Sequence, residues 1–186
     1  NVSGQGLTIL HEEWENNFLK KEQKNKILSR LIYLDVPEAI SFVRTKWHDL
    51  KETERKNRLF DFLSNTELFS IVREEWDSLK EKEQIQMLLR MSHRGKREHV
   101  QFIREHWNFL KKKIKTEIVL NLAFSKTAEA IEIIRESWEL DSLTEKEKDK
   151  ILLRLSNNFT TEADRFVFEK WNFLKEEIIK MEVLTR

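Results

Sequence analysis

The chain has no cysteine, one proline and three glycines in 186 residues. Without cysteine there is no disulfide, no thiolate zinc ligand and no thiol nucleophile. So few turn formers exclude a sheet-rich sandwich, which needs them about every 8–12 residues. No apolar run reaches the roughly 20 residues of a membrane span. A surplus of one charge sign is missing too. Lys and Arg number 34 and Asp and Glu 33, so the formal charge is +1. A strongly basic field over the whole protein is excluded, although a local patch is not. The chain starts at Asn1 with no leader-peptide pattern. The expectation is a soluble intracellular segment, cytoplasmic or nuclear, cut from a longer protein. What is present points elsewhere. Charged residues make up 36% of the chain, against about 25% in ordinary domains. Twelve Phe and six Trp are too many core formers for a disordered chain.

The tryptophans form a period. They are Trp14, Trp47, Trp76, Trp107, Trp138 and Trp171, separated by 33, 29, 31, 31 and 33 residues. The fifth and fourth positions before each are apolar: Ile9-Leu10, Phe42-Val43, Ile71-Val72, Phe102-Ile103, Ile133-Ile134 and Phe166-Val167. The seventh is Leu7, Ile40, Phe69, Val100 or Ile131, with Asp164 in the last copy. Leucine follows three residues after Trp as Leu50, Leu79, Leu110 and Leu174. In the first and fifth copies it follows after five, as Leu19 and Leu143, so each carries a two-residue insertion at the same place. Positions −7, −4, 0 and +3 share one side of an α-helix, helix A. A second apolar run starts eight to ten residues after the leucine, from Ile27-Leu28 in the first copy to Val183-Leu184 in the last, and predicts helix B.

Asp49, Ser78, Asn108, Ser142 and Asn172 lie where the A-to-B turn should fall and are expected to cap helix B. Ser78 with Glu81, and Thr144 with Glu147, match the Ser/Thr-x-x-Glu capping box. Each copy is then a helical hairpin of about 31 residues that cannot bury its own apolar face, whereas stacked copies can. The expected fold is all-α: a right-handed α-solenoid of about six two-helix repeats in a single domain over 1–186. The repeats run approximately over 1–35, 36–64, 65–93, 94–125, 126–157 and 158–186. Asn1–Gly6 reads as a flexible lead-in, and Val183-Leu184 as a cut edge or a helix awaiting a partner.

This arrangement resembles the α-helical repeat superfamilies: HEAT, armadillo, TPR and half-TPR proteins. The Trp-x-x-Leu spacing at Trp47/Leu50, Trp76/Leu79, Trp107/Leu110 and Trp171/Leu174 is similar to the start of a TPR motif. TPR units carry Gly after that leucine; here Lys51, Lys80, Lys111 or Lys175 follows it. The resemblance is architectural, covers almost the whole chain and carries over no functional residue.

Several side chains are candidates for function. The six tryptophans could stack on bases or on a cation. One apolar position per repeat is what stacking of hairpins requires, so Trp14, Trp47, Trp76, Trp107, Trp138 and Trp171 are expected to form the structural core. Arginine recurs three residues before Trp as Arg44, Arg73, Arg104 and Arg135. These form either an inter-repeat ladder with acids or a basic ribbon for phosphates and acidic peptides. From Arg90 to Lys115 nine cations face two acids, and from Glu129 to Asp149 eight acids face three cations. Within the basic stretch Arg94, Lys96 and Arg97 fall in an inter-repeat loop and Lys111, Lys112 and Lys113 in an A-to-B turn. A single site joining them is not assured. His99 and His106 are about 10.5 Å of helical rise apart, too far for one metal ion. Adjacent acids such as Glu74-Glu75 sit on helix faces without the desolvated cleft that acid catalysis needs. The expectation is a non-catalytic scaffold that binds a partner protein or acidic peptide, without cofactor, metal or small-molecule substrate and without a membrane. The alternative is a nucleic-acid-binding module that uses segment 90–115 on the phosphate backbone.

Overall fold

The computed structural model describes residues 4–16, 18–34, 36–140 and 143–173. Among them there are eleven α-helices, four short 3-10 turns and no strand. The helices are α1 (Gly4–Glu15), α2 (Lys21–Ile32), α3 (Pro37–Lys46), α4 (Glu52–Phe62), α5 (Phe69–Glu75), α6 (Glu81–Arg94), α7 (Arg97–Glu105), α8 (Lys112–Leu122), α9 (Ala128–Glu139), α10 (Glu145–Leu155) and α11 (Thr161–Lys170). Odd-numbered helices are the A helices and even-numbered ones the B helices. Leu174, Val183-Leu184 and Ser142 lie outside the described residues. Of the expected lead-in, Gly4, Gln5 and Gly6 belong to α1, and residues 1–3 lie outside the described residues.

The chain forms two compact units, residues 1–80 and 81–186. In the first, α3 packs on α1, α4 on α2, and each B helix packs on the following A helix, as α2 on α3 and α4 on α5. The second repeats this scheme. There α7, α9 and α11 form one row and α6, α8 and α10 another, with α8 against α9 and α10 against α11. The apolar positions of helix A supply the core: Ile40, Phe42 and Val43, then Ile71 and Val72, and in the second unit Phe102, Ile103, Ile133, Ile134 and Phe166. Leu28, Leu59, Leu88, Val119 and Leu152 do so from helix B. In the first repeat Ile9 stays exposed.

Helix A does not run unbroken to the leucine in every repeat. Where leucine stands three residues after Trp, the α-helix stops just before the indole and a 3-10 turn follows. These turns are Trp47–Asp49, Trp76–Ser78, Trp107–Phe109 and Trp171–Phe173. The leucine N–H donates to the Trp carbonyl at 3.2 Å for Leu50, 3.1 Å for Leu79 and 3.2 Å for Leu110. A 3-10 turn brings i and i+3 onto one line, so Leu50, Leu79 and Leu110 are buried beside their tryptophans. In the first and fifth repeats the α-helix instead runs through Trp14 and Trp138, and Leu143 is buried.

The same turn corrects the expected caps. Asp49, Ser78, Asn108 and Asn172 belong to the 3-10 turns, and α4, α6 and α8 start only after Leu50, Leu79 and Leu110. Ser78 donates its hydroxyl to the Glu75 carbonyl at 2.6 Å and makes no capping box with Glu81. Lys51 and Lys111 occupy the N-cap positions instead. Lys20 and Lys51 direct their own N–H to the side chains of Gln23 and Glu54, at 2.8 and 3.2 Å. Thr144 and Glu147 do form the reciprocal box, with the Thr144 N–H on Glu147 Oε2 at 2.8 Å and the Glu147 N–H on the Thr144 hydroxyl at 3.4 Å.

Candidate interaction surface

The tryptophans come first because they set the spacing of everything else. Trp14, Trp47, Trp76 and Trp138 are buried. Trp107 and Trp171 are half-buried, a departure from the uniform core expected of all six. Partners explain part of this. Trp14 Nε1 donates to Asp49 of the next repeat at 2.9 Å, and Trp47 Nε1 donates to Glu75 of the next repeat at 2.9 Å. Glu75 is itself buried. It also lies 3.2 Å from Arg55 Nε and accepts from the Ser78 hydroxyl at 3.3 Å. In the repeat after Trp107 the corresponding positions are Ser137 and Leu140, which offer no carboxylate.

Helix B places a lysine over the ring of three tryptophans. Lys24 sits 5.0 Å from the Trp14 ring centre, Lys115 5.4 Å from Trp107 and Lys148 5.6 Å from Trp138. Once the insertions are discounted, these lysines and Arg55 occupy one repeat position, eight residues after Trp. Such cation–π contacts hold these three B helices to their own A helices. The recurrence was visible in the sequence only after that adjustment.

The arginine row is largely committed to neighbouring repeats. Arg104 pairs with Glu132 at 2.8 Å and with Glu136. Arg135 pairs with Glu169 and lies 5.0 Å from the Phe166 ring centre. Hydrogen bonding to Arg135 holds the Glu169 carboxyl below its usual range. Arg44 donates to the Ser70 hydroxyl, and Arg73 lies 5.7 Å from the Phe69 ring centre. Arg44, Arg104 and Arg135 thus reach into the following repeat, whereas the Arg73 contact stays within its own helix.

The basic stretch is divided. Arg94 ends α6 and Lys96 and Arg97 start α7, whereas Lys111, Lys112 and Lys113 follow the 3-10 turn after α7, about 20 Å of helical rise away. Arg97 Nε pairs with Glu129 at 2.6 Å, so the acidic stretch neutralises part of the basic one across adjacent repeats. Lys111 lies 3.9 Å from Glu81. Lys112 and Lys113 line an open groove of about 560 Å³ with Thr116, Glu117, Thr144 and Glu147. Among the described residues no group of three His, Asp or Glu is placed to hold a metal ion. No described helix is long and apolar enough to cross a membrane.

Sequence reasoning passed over the B-to-A turns of the second unit. Residues 92–96, 123–127 and 156–160 align one for one between α6 and α7, α8 and α9, and α10 and α11. The Ser125 hydroxyl donates to the Gly95 carbonyl at 2.7 Å. Asn158 Nδ2 donates to the carbonyls of Ser125 and, at 3.4 Å, Ala123. Asn121 Nδ2 donates to the Ser92 hydroxyl at 3.0 Å. These bonds join three turns into one edge. Phe124 and Phe159 are nonetheless exposed on it, at 59% and 71%. Compared with family models, with curated proteins and with solved structures, the chain matches none.

Proposed function

We propose that this chain is a non-catalytic interaction scaffold, a right-handed α-solenoid that offers its surface to a partner protein or acidic peptide. The observation that carries the reading is the row-on-row packing inside each unit, A helix on A helix and B helix on B helix. Such packing uses one side of every helix and leaves a continuous row of outer faces and turns. The arginine row supports a structural role for itself, since Arg104 and Arg135 are paired internally. Recognition is therefore assigned to the turns and outer faces.

Two measurements test this. Small-angle scattering of the full chain should give a radius of gyration above the about 16 Å of a compact globule of this length. A value at that figure overturns the solenoid. Selection from a displayed library of random twelve-residue peptides should recover binders enriched in Asp and Glu. Recovery of none overturns the scaffold. A second reading, phosphate-backbone binding, is favoured by one feature: α8 opens with Lys112 and Lys113 and has no acid in its first turn. Reversing Lys111, Lys112 and Lys113 to Glu should then abolish retention of a single-stranded oligonucleotide, with a steep salt dependence in the parent chain. Unchanged retention rejects it.

A further inference from the structure

The turn edge of the second unit combines a strained aromatic, an exposed aromatic and uncommitted cations. Phe159 has φ 56°, the same left-handed value as Gly95 at the aligned position. Glycine adopts that conformation freely, whereas a bulky residue does so against its Cβ sterics. The Phe159 side chain is 71% exposed, so burial does not compensate the strain. Its identity calls for a reason outside the fold.

Phe124 gives a second, independent signal. The same position holds Ser64, His93 and Asn157 in three other repeats. Here it holds a ring that is 59% exposed although turns lie on both sides of it. The Arg154 guanidinium sits 4.6 Å from the ring centre and donates to the Leu120 carbonyl, so the ring is braced from one side. The bonds through Ser125 and Asn158 fix the turns that carry both rings. A rigid, exposed aromatic surface is preorganised for contact.

Charge then selects the occupant. Segments 92–97, 123–127 and 154–160 contain Arg94, Lys96, Arg97, Lys126 and Arg154 and no carboxylate. Arg97 is bound to Glu129 and Arg154 to a carbonyl. Arg94 and Lys126 are exposed. Two such cations release few counterions, too few to hold a nucleic acid by phosphate contacts alone. Packed helices lie about 8–10 Å apart, and an extended peptide covers that distance in about three residues.

We infer that the edge formed by these turns docks an acidic peptide segment whose apolar side chains, about three residues apart, seat on Phe124 and Phe159 while its carboxylates meet Arg94 and Lys126. This deepens the scaffold reading and rests on it. The test uses the full chain and the acidic twelve-residue peptides selected from the displayed library. Phe124→Ala, Phe159→Gly and the double reversal Arg94→Glu with Lys126→Glu should each weaken the tightest peptide at least tenfold. Phe159→Gly should do so with a melting temperature equal to or above that of the parent, an outcome a merely structural role does not produce. Selected peptides that bind all these variants as tightly as the parent overturn the site and leave the scaffold standing. Failure to recover any acidic peptide, or tighter binding of a twelve-nucleotide oligouridine with a steep salt slope, overturns both. Sedimentation that shows dimers abolished by Phe159→Gly gives the surface to a second copy and overturns the peptide.

Discussion

Both compact units place a lysine over a tryptophan ring, but they differ in what the next repeat offers the indole N–H. In residues 1–80 the indole N–H groups of Trp14 and Trp47 reach carboxylates of the next repeat, Asp49 and Glu75. In residues 81–186 the repeat after Trp107 offers Ser137 and Leu140 instead, and Lys115 and Lys148 lie over the rings of Trp107 and Trp138. The first arrangement is directional and, at Trp47, buried, so losing Glu75 leaves a desolvated indole N–H behind. The second is broader and tolerates exposure, as half-buried Trp107 shows. A repeat can thus keep its spacing while the chemistry around its central residue changes.

Truncating the rings should separate the two units most. Trp47→Ala should cost about 3–5 kcal/mol, whereas Trp107→Ala, half-buried at the start, should cost about 1–2 kcal/mol. Urea denaturation of both variants checks this, and equal losses would remove the distinction. Glu75→Ala comes next. It strips Trp47 of its acceptor and Arg55 of its counter-charge, and should cost about 3 kcal/mol. Ser137→Ala, at the matching position, should stay below about 1 kcal/mol.

Acid should sharpen the contrast, since the second unit buries His99. Burial pushes this imidazole down to about 4 from 6.5, with Glu98 opposing the shift and Lys96 and Arg94 adding to it. Between those values the unfolded chain binds the proton and the folded one does not. Stability is therefore full above about pH 6.5 and falls as pH drops toward 4, by up to about 3 kcal/mol. Hydrogen exchange followed from pH 7 to 4.5 should show residues 81–173 loosening first, and His99→Leu should remove that slope. One turn position should respond in both directions. At Gly95, with φ +56°, an added Cβ would fall 2.7 Å from Ser125 Cβ. Gly95→Ala should cost about 2 kcal/mol, and Phe159→Gly should gain about 1 kcal/mol. Thermal melting of the two variants should move in opposite directions.

Legibility in the sequence depends on how often a signal recurs. The all-helical character and the alternation of A and B helices were legible, because six tryptophans and their apolar partners repeat. The caps were misplaced because Asp49, Ser78 and Asn108 resemble N-caps by composition, while the Trp-x-x-Leu step consumes them in a 3-10 turn. Glu75 was invisible as a partner for Trp47. It is one acid among many, and its role depends on contact with a repeat 28 positions earlier. Arg104 and Arg135 were legible as a row, and their pairing with Glu132, Glu136 and Glu169 agrees with the ladder half of that expectation. The left-handed backbone of Phe159 left no trace at all, since nothing in a phenylalanine announces positive φ.

The step after each tryptophan comes in two lengths, a tight form in four repeats and one with two extra residues in the first and fifth. Both deliver the chain to helix B, and Leu143 in the longer form is as buried as Leu50 in the shorter. Length variation is absorbed at this joint without disturbing the register of the next helix. It is the natural place to graft a fluorophore tag or a recognition loop.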